Sequence, residues 1–313
     1  MVSLPLVSVV VPVYNASSYI RQTLSGILCQ TYQPIEVIVV DDGSTDASPN
    51  ILGEYGERII LIRQHNQGVC IARNAGIARS RGEYVALCDS DDIWLPDKLE
   101  RQMKIAMKYP KVGIIACAFE SIDAMGQTLP RPSRKSALHN RPISLQAILL
   151  REGNVIGIST AVVKREILEI TGGFEARYSV VRSKDYDLWV RASDYTEFYI
   201  LSTVLAQYRV LKDSMIHGSL KKEYKPQFQW LRIYRNRYST KEYNIRRAKI
   251  YADWAESSFC DREDISWKLL KKAIKLNPMC LKYQVRLVVE IVKYFIRMAI
   301  RFFSKLLGSV GRK

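Results

Sequence analysis

Apolar residues in the first 120 positions come in short continuous runs rather than in strict alternation. Val7-Ser8-Val9-Val10-Val11 is β-branched and ends at Pro12. Ile35–Val40 stops at Asp41-Asp42-Gly43-Ser44, and Ile59–Ile62, Tyr84–Cys88 and Val112–Phe119 repeat the theme. Runs of this length, rich in Val and Ile, predict strands buried on both faces. Helix signals fill the gaps: Tyr19–Leu28 behind the potential caps Asn15 and Ser17, a stretch near Ser48–Tyr55, Val69–Arg79, and a run opened by Pro96 that continues to about Tyr109. The alternation predicts an α/β domain, a mostly parallel sheet flanked by helices on both faces. The ligand crevice of such a sheet lies beyond the carboxyl ends of its strands. Both acidic clusters, Asp41-Asp42 and Asp89-Ser90-Asp91-Asp92, fall there.

Beyond residue 120 the pattern loosens. Gly153–Val163 reads as a loop entering a strand, Lys164–Thr171 as a helix closed by Gly172-Gly173, Asp185–Ser193 as a helix and Phe198–Val210 as extended chain. From 221 onward the chain turns helical and basic. Tyr243–Phe259 and Ile265–Leu276 predict a helical hairpin stopped by Asn277-Pro278. One such pair is too little for a repeat array.

Charge adds a second division. The 313 residues carry a net +16, but residues 1–220 hold 24 Lys+Arg against 23 Asp+Glu, and residues 221–313 hold 23 against 8. A basic tail implies an anionic partner, nucleic acid or an acidic membrane surface. No nucleic-acid-binding motif accompanies the charge, so no nucleic-acid partner is expected. Cys29, Cys70, Cys88, Cys117, Cys260 and Cys280 form no C-x-x-C pair and read as reduced thiols in a reducing compartment. His65, His139 and His217 lack a ligand at metal spacing and read as solvated or structurally satisfied. Val7–Val13 is too short to span a bilayer, and no basic n-region precedes it.

Four segments carry chemistry. Val40-Asp41-Asp42-Gly43-Ser44-Thr45-Asp46 suits a strand–turn–helix junction with caps, yet two adjacent carboxylates exceed what a cap needs. Asp89, Asp91 and Asp92 repel one another unless a cation is present, and Mg²⁺ or Mn²⁺ takes such oxygen ligands together with substrate phosphates. An acidic turn before the Pro96 helix is the plainer alternative. Arg73 sits on an otherwise small and apolar helix, so its charge needs a partner: Asp42, Asp91 or a diphosphate. Asp185, at a helix start, is either an N-cap or a general base facing the crevice.

Taken in order, Val7–Asn15, Val39–Asp46, Ala72-Arg73-Asn74-Ala75-Gly76, Asp89–Asp92 and Lys184-Asp185-Tyr186-Asp187-Leu188-Trp189, with Gly172-Gly173-Phe174, resemble glycosyltransferase family 2. This family comprises inverting GT-A enzymes, here of the bacterial cell-surface polysaccharide type. The resemblance covers about residues 5–215 and implies a catalytic domain over 1–220, with a nucleotide-binding half (1–119) and an acceptor half (120–220). It implies that Pro12 and Tyr14 line a nucleoside pocket, that Asp42 binds the base, most often uracil, and that Arg73 lies near the diphosphate. Asp91 matches the metal position, supported by Asp89, and Asp185 matches the catalytic base. Lys184 stands where the family commonly has an acid, and an ammonium there would lower the pKa of Asp185.

The expected reaction is transfer of one sugar from a nucleotide-sugar donor, UDP-linked, to a glycan or lipid-linked acceptor by metal-assisted single displacement, with Gly153–Ser159 beside the acceptor. A sugar-nucleotide pyrophosphorylase is the rival enzyme, but Pro12-Val13-Tyr14-Asn15 is not its Gly-rich basic loop. A non-catalytic scaffold would show no metal-dependent hydrolysis of a sugar nucleotide.

A helical extension over 221–278 and a basic amphipathic helix over 279–313 complete the expected organisation. From Gln284 to Leu307 the charges Arg286, Glu290, Lys293, Arg297, Arg301 and Lys305 fall on one helical arc beside a wide apolar face. That pattern predicts a helix lying in an anionic membrane interface, hence a peripheral protein at the cytoplasmic face. Packing on the catalytic domain or on a second subunit of a homo-oligomer is the alternative.

Overall fold

The computed structural model describes residues 4–130, 140–146, 148–149, 154–176, 184–211, 221–258 and 263–289. The chain divides into two compact units, Met1–Gly218 and Ser219–Lys313.

In the first unit the strands are β1 (Val7–Val13), β2 (Ile35–Asp41), β3 (Ile60–Arg63), β4 (Tyr84–Leu87), β5 (Ile93–Trp94), β6 (Val112–Ile122), β7 (Pro142–Ile143), β8 (Val162–Lys164) and β9 (Glu197–Arg209). They form one sheet in the order β3-β2-β1-β4-β8-β6-β9-β5, with β7 paired to β9. The β3-β2-β1-β4 half is parallel throughout, as the βα alternation demands. β8 then enters antiparallel between β4 and β6, and β6 runs parallel with β9, so the sheet as a whole is mixed.

The helices are α1 (Ile20–Leu28), α2 (Ser48–Gly53), α3 (Val69–Arg79), α4 (Lys98–Lys108), α5 (Arg165–Thr171) and α6 (Lys184–Ala192). Side chains alternate across the sheet. Val7, Val9, Val11, Val37 and Val39 face Leu24, Ile27, Leu52, Leu99 and Met103 from α1, α2 and α4. Ile38 and Val40 face Ala72 of α3 on the other side. Both faces are dry, which is why the strands read as continuous apolar runs. Asn15 and Ser17 do not cap α1, whose N-cap position is Tyr19. The Asn15 Oδ1 instead accepts from the main-chain N–H groups of Thr45 (2.8 Å) and Asp46 (3.3 Å), binding the β1 and β2 loops to each other.

The second unit holds α7 (Lys221–Ile233), α8 (Thr240–Ser258), α9 (Glu263–Leu276) and a further helical stretch at 281–289. α8 and α9 pack through Ala248, Ala252, Ala255, Leu269, Leu270 and Ala273, where small residues on one helix face larger ones on the other. Cys260, His139, His217, Gly153 and the tail beyond 289 lie outside the described residues.

α3 rests against the sheet at Gly76, where an added Cβ would overlap the Val10 side chain and touch Val40. Gly76→Ala is therefore expected to lower unfolding free energy by about 1–3 kcal/mol through overpacking, outweighing a helix-propensity gain of about 1 kcal/mol. Gly53→Ala, with open space around its Cβ, is expected to be neutral or stabilising. Urea denaturation of the two variants checks the contrast.

Candidate active site

Loops after β1, β2 and β4 meet at the carboxyl edge of the parallel strands. Pro12 is buried in β1 opposite Val40, and Tyr14, just past the strand end, is 50% exposed. Asp42 is buried, and its main-chain N–H donates to Val13 O (2.8 Å). Its Oδ1 accepts from Gln64 Nε2 (2.7 Å) and the Gln67 N–H (2.9 Å), and its Oδ2 from the Gly68 N–H (2.8 Å). A carboxylate has about four acceptor positions, so Asp42 fixes the loop entering α3 and still keeps one. No hydrogen bond or ion pair among the described residues joins Asp42 to the second acidic cluster.

That cluster follows β4, and its members differ sharply. Each Asp92 oxygen accepts one hydrogen bond: Ser159 Oγ donates to its Oδ2 (2.5 Å) and the Arg209 main-chain N–H to its Oδ1 (2.9 Å). Ser159 Oγ also accepts from the Asp89 N–H (3.0 Å). Asp89 pairs with Arg73, Nη2 to Oδ1 at 2.5 Å. Of the partners weighed from sequence for Arg73, neither Asp42 nor Asp91 is taken; Asp89 stands closer because α3 begins beside the β4 loop. Asp91 is half-buried, and among the described residues no other side chain donates a hydrogen bond to its carboxylate. Burial and the charge of Asp89 push its pKa up to about 6. Burial, with Asp91 and Asp89 beside it, raises Asp92 well above the ordinary carboxylate range.

Asp185 stands on the first turn of α6. Asn154 Nδ2 donates to its Oδ2 (2.8 Å) and the Tyr186 N–H to its Oδ1 (3.0 Å). The expected depression of its pKa by Lys184 does not prevail. Burial raises the Asp185 pKa, and Arg73 and Asn154 offset this only in part. Lys184 is itself pushed down by burial and by Arg73.

Arg73 thus stands between the two acid groups. It is 2% exposed, bonded to Asp89 and within the field of Asp185, and its Nη1 is buried without a hydrogen-bond partner. Its guanidinium lies over the Phe174 ring (5.1 Å). That ring is fixed by Asn74, whose Nδ2 donates to Phe174 O (2.7 Å) and whose Oδ1 accepts the Phe174 N–H (2.8 Å). Arg191 of α6 binds the same turn through Thr171 O (2.5 Å) and Gly173 O (2.8 Å). Gly173 has φ +69°, and a Cβ there would strike the Asn74 Oδ1. The turn therefore ties α3 to α6, and with them Arg73 to Asp185. The Tyr208 phenol lies within the field of the same acids. Burial raises its pKa, and so do the charges of Asp92, Asp89, Asp91 and Asp185.

The residues brought together are Arg73, Asp89, Asp91, Lys184 and Asp185. Tyr14 and Asp42 sit on the loops of β1 and β2. Asn154, Ser159 and Arg209 hold the acids in place and were not singled out from sequence; neutral polar groups and a strand-end arginine leave no periodicity to find.

Asp91, with Asp89 beside it, suits Mg²⁺ or Mn²⁺: oxygen donors, partial burial, and a proton affinity raised by burial and by the charge of Asp89. Among the described residues no three His, Cys, Asp or Glu side chains converge tightly enough to hold an ion alone. That fits an ion held by one or two carboxylates plus substrate phosphates.

Comparison with known proteins addresses the fold and the family. The chain is 33% identical over 218 residues to an uncharacterised glycosyltransferase of Rickettsia prowazekii, covering 69% of this chain and 65% of that one. It is 32% identical over 237 residues to the putative teichuronic acid biosynthesis glycosyltransferase TuaG of Bacillus subtilis, covering 74% and 89%. The chain thus spans just under two thirds of the rickettsial relative. Among solved structures, S. aureus TarS residues 1–349 in complex with UDP-GlcNAc matches with TM-score 0.58 at 16% identity, covering 86% of this chain and 81% of that one. The mannosyltransferase PcManGT of Pyrobaculum calidifontis, in complex with GDP-Man and Mn²⁺, matches with TM-score 0.57 at 20% identity, covering 96% and 87%. These likenesses show a shared GT-A fold. The profile of Glycosyl transferase family 2 matches residues 8–170, more than half of the chain, and the chain belongs to that family.

Proposed function

We propose that this chain is an inverting glycosyltransferase that moves one sugar from a UDP-linked donor to a hydroxyl of a glycan or lipid-linked acceptor. The observation that carries the reading is the gathering of Asp89, Asp91 and Asp185 around the buried Arg73. The family assignment, and relatives crystallised with UDP-GlcNAc or with GDP-Man and Mn²⁺, support it.

In this reading Tyr14 packs on the nucleoside beside Pro12, and the open acceptor position of Asp42 takes an N–H of the base. Arg73 Nη1, which has no partner among the described residues, donates to the diphosphate. Asp91, supported by Asp89, would hold Mg²⁺ or Mn²⁺, and a divalent cation bound there would supply charge stabilisation for the leaving diphosphate. Asp185 accepts the proton of the acceptor hydroxyl as that oxygen bonds to the anomeric carbon and the carbon–phosphate-oxygen bond breaks. One displacement inverts the centre; retention would need a carboxylate nucleophile and a second displacement. Arg73 and Asn154 favour the ionised form of Asp185, the form a base requires, against its burial.

Asp185→Asn is expected to cut transfer roughly 10²–10⁴-fold while UDP affinity, read by calorimetry, is unchanged. Equal transfer by both proteins removes Asp185 from the mechanism. Asn154→Ala withdraws a donor from the carboxylate and so raises its pKa further. Because the ionised form is the base, the acidic limb of the kcat/KM profile is expected to move to higher pH. An unmoved limb contradicts the assignment.

The membrane-facing role of the second unit is part of the same proposal. On the helical stretch 281–289, Leu281, Val285, Val288 and Val289 are exposed at the i, i+4, i+7, i+8 spacing of one face, with Lys282 and Arg286 on the same stretch. A peripheral helix at an anionic cytoplasmic leaflet uses such a face. Val285→Asp with Val288→Asp is expected to abolish co-sedimentation with vesicles containing anionic lipid. Undiminished sedimentation excludes this face.

A further inference from the structure

We propose that Arg209, the last residue of β9, is the positioning residue of the Asp89–Asp92 loop and sets the affinity of the crevice for its divalent cation. The proposal rests on the reading of Asp91 as a metal ligand.

Arg209 is 2% exposed, yet among the described residues its guanidinium forms no ion pair. Its donors go to neutral oxygens instead. Nε donates to the Asp91 main-chain carbonyl (2.8 Å), Nη1 to those of Asp123 and Ala124 (3.0 Å each), and Nη2 to Gln22 Oε1 (2.7 Å). Its main-chain N–H holds Asp92 Oδ1 (2.9 Å), and its cation lies over the Tyr19 ring (4.8 Å). A buried cation spent on neutral acceptors is costly unless the arrangement places something.

What it places is visible along the loop. The Asp89 N–H is held by Ser159 Oγ, and the Ser90 and Asp92 carbonyls by Thr23 Oγ1 (3.0 and 2.8 Å). The Asp91 carbonyl is held by Arg209, and both Asp92 carboxylate oxygens are occupied. Each residue of the loop is pinned, and the Asp91 carboxylate is left for a ligand. Gln22 and Thr23 are neighbours on α1, so Arg209 and Thr23 together fasten the metal-side loop to the helix that follows β1 and its nucleoside-side loop. The planar fork is essential, because a lysine ammonium cannot reach the Asp91 carbonyl, Gln22 and the 123–124 turn at once.

The test is Mn²⁺ affinity, read by electron paramagnetic resonance of free Mn²⁺ in the presence of saturating UDP. Wild type, Asp91→Asn, Arg209→Lys, Gln22→Met and Ser8→Ala are compared. Groups that orient metal ligands typically change affinity on the order of 10- to 100-fold when altered, and Arg209→Lys is expected in that range with UDP affinity under chelator unchanged. Gln22→Met, at an exposed position that folding tolerates, removes one end of the strap and is expected to weaken Mn²⁺ roughly two- to fivefold. Ser8→Ala removes buried hydrogen bonds to Glu36 and Gly82 far from the crevice. It is expected to lower the melting temperature and leave Mn²⁺ affinity alone. Wild-type affinity in both Arg209→Lys and Gln22→Met overturns the proposal, and if Arg209→Lys fails to fold, Gln22→Met alone decides. Equal Mn²⁺ binding by wild type and Asp91→Asn overturns the metal reading, and the strap with it.

Discussion

Carboxylates do not share a dry crevice unless something balances them, and the organisation of this domain follows from how that balance is struck. Asp91, Asp92 and Asp185 are withdrawn from bulk water beside Asp89, and burial drives each of the three toward its neutral form. Arg73 is the main countercharge. Removing one partner of a buried ion pair typically costs about 3–5 kcal/mol, so the Arg73–Asp89 contact is both a structural and a functional commitment. Yet the balance is incomplete: among the described residues Arg73 Nη1 has no partner, and the Asp91 carboxylate holds a proton more tightly than usual. The proposed diphosphate and cation would complete it.

The four acids are not interchangeable. Asp92 resembles Asp91 in sequence, but its oxygens are bound by the Ser159 hydroxyl and the Arg209 main-chain N–H, which fastens the loop to β9. Asp185 is brought near Arg73 by the turn at Gly172-Gly173-Phe174, gripped from α3 by Asn74 and from α6 by Arg191. Contacts between residues 100 positions apart thereby fix the position of Arg73 relative to Asp185, the proposed diphosphate ligand and the proposed base. A shift of even about 1 Å in such a relation is costly to catalysis, which explains why the tie is made with paired hydrogen bonds and an αL glycine.

Much of this was legible from residues alone. The strands announced themselves as β-branched runs because both faces of the sheet are covered, and the acids fell at strand ends where parallel sheets place ligands. The antiparallel entry of β8 between β4 and β6 was not legible, because pairing of distant strands leaves no local signature. Asn15 read as a helix cap and instead holds the β2 loop; its side chain offers the same oxygen to either task, and only the close approach of the two loops decides. The partner of Arg73 was a choice among acids that only the fold could make. The influence of Lys184 on Asp185 was judged from adjacency, whereas burial dominates. Arg209 left no trace, since a strand-end arginine with neutral partners has no pattern.

The account depends on one crevice holding a nucleoside diphosphate and a divalent cation against each other. Linkage requires that each then tighten the other by the same factor. The direct measurement is a calorimetric titration of UDP into the wild-type protein, with Mn²⁺ and again with chelator. Binding tightened by Mn²⁺ at least roughly fivefold is the predicted result. UDP affinity that is identical in the two titrations would contradict it.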